Sequence, residues 1–158
     1  MTLLFADKAK QVGATAYTPC LGKWTSFRID GATILYEPGV YQGDGTENRV
    51  NLCVQSEEGV ERLLEYEESL TGSVCSCVKG EGETQHVKAK LLWDRIRFFD
   101  VSNARVSRPP TLRGFRCNLI FAIKGKWTSH GQTGLSVEVS DIQLLEPQEE
   151  DYKSPFIG

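Results

Sequence analysis

From Lys23 the apolar and polar positions alternate. Thr25, Phe27 and Ile29 take one side of an extended stretch; Trp24, Ser26 and Arg28 take the other. This two-residue period predicts a strand buried on one face. Asp30-Gly31 is a two-residue hairpin signal, so a second strand is expected over residues 32–36. Residues 37–48 are rich in turn formers, and a third strand is expected over 49–55 on Val50, Leu52 and Val54. Residues 1–22 are less legible: Leu3 to Phe5 fits a strand start and Thr18-Pro19 a turn.

The period then changes. Residues 56–70, SEEGVERLLEYEESL, place Val60, Leu63 and Leu64 on a narrow apolar stripe that Leu70 extends, with acids around the rest. Ser56 suits the N-cap, and Glu57 and Glu58 suit the positive end of the helix dipole. A solvated helix lying on a sheet is expected. Period two returns over residues 73–78, 85–93 and 95–101, then over 116–127 after the loop SNARVSRPPTLRG at 102–114. Cys117, Leu119, Phe121 and Ile123 form one face of that long strand. Leu135, Val137 and Val139 follow, but Ile142 and Leu144 change parity, which predicts a bulge near Asp141.

Three strands, a helix, and a hairpin with a long loop correspond to an OB-fold-like barrel, mainly β with one α-helix. One domain is expected over residues 1–145, and a disordered acidic tail over 146–158. Residues 1–22 either cap the barrel or swap into a neighbour, so a homodimer is one expected partner.

The string GKWTS occurs at 22–26 and again at 125–129. By parity the two tryptophans differ. Trp24 belongs to the polar face, beside Lys23 and Arg28, whereas Trp127 belongs to the apolar face of Cys117 to Ile123. Trp93 also has apolar parity and is expected in the core. The competing reading for Trp24 is that the N-terminal segment covers it.

Charge sharpens the picture. The net charge of −3 hides segregation: ten acids face three bases between Asp44 and Glu83, but ten bases face two acids between Gln85 and Gly131. The last thirteen residues carry four acids and one lysine. A basic surface bearing an exposed aromatic suits single-stranded nucleic acid, whose phosphates bind cations and whose bases stack on rings. The expected interface is Lys23, Trp24, Arg28, Tyr36, Tyr41, Lys88, Lys90, Arg95, Arg97, Arg105, Arg108, Arg113, Arg116, Lys124 and Lys126.

Other chemistry is weakly supported. Cys75 and Cys77 share a strand face and His86 lies nine residues on, but a zinc site needs a fourth ligand. GKWTS lacks the upstream glycine and the Lys-Ser/Thr step of a phosphate loop. His86 and His130 have no carboxylate or nucleophile at motif spacing. Neither a catalytic site, a metal nor a cofactor is expected. Five cysteines without a disulfide framework suggest a reducing intracellular compartment, and no stretch has the length and apolarity of a membrane span.

The ending EPQEEDYKSPFIG resembles the acidic, aromatic-ended tails of replicative single-stranded-DNA-binding proteins, although Phe156 stands two residues before the end. CNLIFAIKGKW and GLSVEVSDIQLLE, within residues 117–146, are similar to the last two strands of DNA-binding proteins from large eukaryotic DNA viruses. Those in turn resemble the single-stranded-DNA-binding protein of short-tailed coliphages. The resemblance implies an OB fold and sequence-independent binding of single-stranded DNA in replication, recombination or repair. It implies a tail, carried by Glu146, Glu149, Glu150, Asp151, Tyr152 and Phe156, that competes for the basic groove and recruits replication proteins. The rival readings are a β-barrel protein-interaction module without nucleic-acid binding, and a small hydrolase with an unrecognised site.

Overall fold

The computed structural model describes residues 3–21, 25–40 and 42–147. Among the described residues eleven strands and one α-helix follow in order: β1 (Lys10–Val12), β2 (Thr15–Pro19), β3 (Thr25–Ile34), β4 (Arg49–Gln55), α1 (Glu57–Glu67), β5 (Ser73–Val74), β6 (Val78–Lys79), β7 (His86–Leu92), β8 (Arg97–Phe99), β9 (Arg105–Val106), β10 (Phe115–Ser129) and β11 (Gln132–Pro147). Five of them close into a ring, β3-β4-β7-β11-β10 and back to β3. In chain order that ring reads first, second, third, fifth, fourth. Its one parallel contact joins β7 to β11, at Lys90 and Glu138. This is the OB-type arrangement that the alternation predicted.

Inside the ring Ile29, Ile34, Leu52, Val54, Leu91, Leu119, Phe121, Ile123 and Ile142 are almost wholly buried. The helix begins where expected: Ser56 is extended and its hydroxyl accepts the Gly59 N–H at 3.0 Å. Its buried stripe differs in one place. Tyr66, rather than Leu64, faces the core, its ring centroid 5.6 Å from that of Phe27, which in turn stacks on Phe121 at 5.4 Å. Leu64 stays exposed.

The structure corrects several expectations. Asp30-Gly31 is not a hairpin. β3 runs straight through it, and both sides pair with the same strand: Ile29 with Leu119, Ala32 with Cys117. Two residues thus oppose Asn118, a bulge that Gly31 permits with φ +72° and that the Asn118 side chain fastens by accepting the Gly31 N–H at 3.0 Å. Consequently the helix follows the second barrel strand, not the third. Residues 10–19 form a hairpin whose β2 pairs with Gly125–Ser129 of β10 and widens the wall, so Thr18-Pro19 is not the expected turn but the end of a strand paired with Gly125 and Lys126. The loop at 102–114 contains β9, which folds back on β8.

The bulge expected near Asp141 lies at Ser140, the extra residue between the pairs Ile120–Asp141 and Phe121–Val139. A second bulge, at Lys124, lies between the pairs Ile123–Val137 and Gly125–Ser136.

Candidate nucleic-acid interface

The Lys124 bulge reverses the parity of β10. Up to Ile123 the odd residues point into the barrel; beyond Gly125 the odd residues Trp127 and Ser129 line the outer wall. Trp127 is therefore not the end of a core stripe. It is half-buried in a groove on the outer face, between its cross-strand partners Tyr17 on β2 and Gly134 on β11. Gly125 makes the approach possible, because a Cβ there would lie 2.4 Å from the Thr18 carbonyl oxygen.

The groove encloses about 880 Å³ and runs across β2, β10, β11, β7 and β4. Four cations line it: Arg49, Lys90, Arg95 and Lys124. One acid, Glu138, lies at its floor with 3% exposure. Its Oε1 is 2.7 Å from Arg95 Nη2 and 3.2 Å from Lys124 Nζ. Glu138 thus holds two cations that would otherwise repel each other, and the set still keeps an excess of positive charge. Lys90, with Nζ 3.5 Å from the Ser136 hydroxyl, has its pKa lowered, first by burial and then by the charges of Arg49 and Lys124. Burial likewise raises the Tyr17 phenol, with Cys20 and Glu138 adding to it. Concentrated cations with two aromatic rings on a concave wall suit phosphate neutralisation and base stacking.

The other expected residues are distributed more widely. Arg28 and Arg97 lie further along the same β10–β11 face; Arg28 pairs with Asp30 at 2.6 Å and Arg97 with Asp141 at 2.6 Å. The Arg105 guanidinium is 6.0 Å from the Phe99 ring centroid. Arg108 stacks on Trp93 at 3.3 Å, so Trp93 is half-buried under a guanidinium rather than enclosed in the core. Arg113 and Arg116 are exposed at the far end of the barrel. There Glu37 accepts the Leu112 and Arg113 N–H groups at 2.6 and 2.8 Å and the Thr111 hydroxyl. Although burial opposes it, those bonds and the Arg108 charge hold the Glu37 carboxyl below its ordinary value. Lys88 is exposed on β7. Lys126, on the opposite side of β10 from Trp127, covers Phe5 at 4.6 Å. Tyr36 is exposed, its ring nearly perpendicular to that of His86 with the centroids 6.5 Å apart. Lys23, Trp24, Tyr41, Glu149, Glu150, Asp151, Tyr152 and Phe156 lie outside the described residues; of Glu146 only the backbone, within β11, is described.

Sequence reasoning thus supplied Lys90, Arg95 and Lys124 and missed Tyr17, Arg49 and Trp127. The missed signal was Gly125: a glycine inside a strand pattern marks a bulge, and a bulge exchanges the two faces. Among the described residues no cluster of three or more His, Cys, Asp or Glu is placed to hold a metal ion.

No protein-family model and no curated protein matches the chain. Solved structures do. A C-terminally truncated single-stranded DNA-binding protein from bacteriophage Enc34 superposes with a TM-score of 0.55 at 8% identity, covering 99% of this chain and 98% of that one. The Enc34 single-stranded DNA-binding protein in complex with single-stranded DNA superposes with a TM-score of 0.53 at 10% identity, covering 98% of each chain. The chain therefore has the fold of a phage single-stranded-DNA-binding protein over nearly its whole length.

Proposed function

We propose that the chain binds single-stranded DNA with little regard to sequence and acts by binding rather than by catalysis. Arg49, Lys90, Arg95 and Lys124 neutralise phosphates, and Trp127 and Tyr17 offer rings on which bases stack. The observation that carries this reading is the convergence of those four cations and two rings on one outer wall of an OB-type barrel. The fold shared with the Enc34 proteins supports it.

The finer reading assigns the protein to replication, recombination or repair in a reducing intracellular compartment. The tail from Glu146 onward, four acids and an aromatic near its end, competes for the groove and is released to replication partners when DNA arrives. Fluorescent oligo-dT titrated at several salt concentrations tests both parts. The expected result is affinity that falls steeply with salt and that rises when residues 148–158 are deleted. Absence of binding at low salt with the tail deleted overturns the proposal in favour of a protein-interaction barrel.

A further inference from the structure

The turn that ends β7 divides two concave surfaces. Leu92 and Arg95 line the groove, whereas Trp93 and Ile96 line a second pocket, of about 480 Å³, built on β8, β9 and the residues that follow. The floor of this pocket is apolar, for Ile96 and Phe98 are buried. Its rim carries Arg105, Ser107 and Arg108, and among the described residues no carboxylate lies in its lining. Asp94, the acid next to Trp93 in sequence, instead accepts the side-chain amide of Asn48 at 3.0 Å.

Two contacts prepare the rim before any ligand arrives. The Arg108 guanidinium lies 3.3 Å above the centre of the Trp93 ring, and Arg108 remains exposed. The freedom that an arginine loses when it grips an anion is therefore largely lost on folding. Arg105 faces Phe99 across the β8–β9 pair. Asp100 closes the turn between those strands, its Oδ1 accepting the Ser102 and Ala104 N–H groups at 2.9 and 3.0 Å. Neither arginine forms an ion pair among the described residues. Glu37 feels the Arg108 charge, but its Oε1 is taken up by the Thr111 hydroxyl and the Leu112 and Arg113 N–H groups.

Two guanidiniums and a hydroxyl on a concave rim repel metal ions and attract an oxyanion. A planar fork held on a ring matches phosphate through two parallel N–H donors. The place of the pocket indicates which phosphate. Trp93 and Arg95 are two residues apart, at most about 7.6 Å between Cα atoms, so a strand that leaves the groove past Arg95 comes directly onto the Trp93–Arg108 pair. We infer that this pocket holds a backbone phosphate of the strand bound in the groove, gripped by Arg108 seated on Trp93, with Arg105 and Ser107 beside it. The inference rests on the single-strand reading of the groove and carries the path over the turn between β7 and β8.

The test compares oligo-dT of about 4 and about 16 nucleotides, the two ends of the usual range for one OB fold. Arg108→Ala is expected to bind the long oligomer about tenfold more weakly than the native protein, with a salt slope smaller by about one. Its affinity for the short oligomer, which the groove alone accommodates, should stay within about twofold of native. Arg108→Lys keeps the charge but cannot lie flat on the indole or offer two parallel donors; it is expected to restore the salt slope and to leave most of the affinity loss. Native affinity of Arg108→Ala for the long oligomer overturns the second site and leaves the groove intact. An equal loss at both lengths, or native affinity in Arg108→Lys, also overturns it, because Arg108 is then one more surface charge. Binding of neither oligomer by the native protein at low salt removes the groove reading and the second site with it.

Discussion

The indole of Trp127 fills the space that a side chain on Gly134 would need: Cζ2 lies 2.7 Å from where a Gly134 Cβ would stand. The two are direct partners across β10 and β11. The glycine is the seat of the ring and holds it against the groove wall. Trp127→Ala is expected to weaken oligo-dT binding by about 1–3 kcal/mol, the usual loss for one stacking platform, whereas Trp127→Phe keeps most of the affinity. Gly134→Val, which dislodges the ring without altering it, is expected to show a comparable loss in fluorescence titration. Native affinity in a folded Gly134→Val protein would separate the ring from binding.

Lys90 links function to stability. Its folded pKa is depressed by burial and by Arg49 and Lys124, so the folded state holds this proton less tightly than the unfolded chain does. The charge therefore costs stability fully below the folded value, and the cost fades as pH rises from there toward 10.5. Lys90→Met is expected to melt at a higher temperature than the native protein at neutral pH, with the gap narrowing as pH rises through that window. The same variant should bind oligo-dT less tightly, with a salt slope smaller by about one. A lower melting temperature at neutral pH would contradict the assignment.

A contact outside the groove is expected to matter only for folding. Glu67, at the end of α1 and 6% exposed, accepts the Cys77 N–H at 2.7 Å and the Ser76 hydroxyl, and so anchors the irregular segment leading into β6. Glu67→Ala leaves those donors unsatisfied and is expected to cost about 2–3 kcal/mol in denaturant unfolding. Well below the midpoint, its oligo-dT affinity should match that of the native chain.

Burial pushes the Cys117 thiol up to about 12, and the side chain has no exposed surface. Iodoacetamide at pH 8 should leave it unmodified in the folded protein and alkylate it in denaturant, as read by peptide mass. Rapid labelling of native protein would show that the β3–β10 side of the barrel opens.

How much of this could be read from the chain follows from the geometry. Val87, Ala89 and Leu91 alternate without interruption and are buried on one side of β7 as their pattern implied. Ser56 caps its helix because the local chemistry is sufficient to do so. The bulge at Ser140 was legible because apolar parity changes on either side of it. The bulge at Gly31 was not, because it depends on Asn118 of a partner strand 87 residues away; the one at Lys124 was marked only by the glycine that follows it. Each such insertion reverses every later side chain, and one of them moved Trp127 from the expected core to the groove. Arg49 was hidden by its acidic neighbours in sequence, and Tyr17 by a hairpin too short to show a period. The charge segregation in sequence foresaw a basic surface, but it did not reveal that only part of those cations would share one wall.

A bound strand that follows the wall formed by β2, β10, β11 and β7 would pass over Tyr17 and Trp127. Photo-crosslinking of a bromodeoxyuridine oligomer, followed by peptide mapping, is then expected to give adducts on Tyr17 and Trp127 that disappear in high salt. Adducts confined to α1 or to the Arg113–Arg116 end of the barrel, with Tyr17 and Trp127 unmodified, would contradict it.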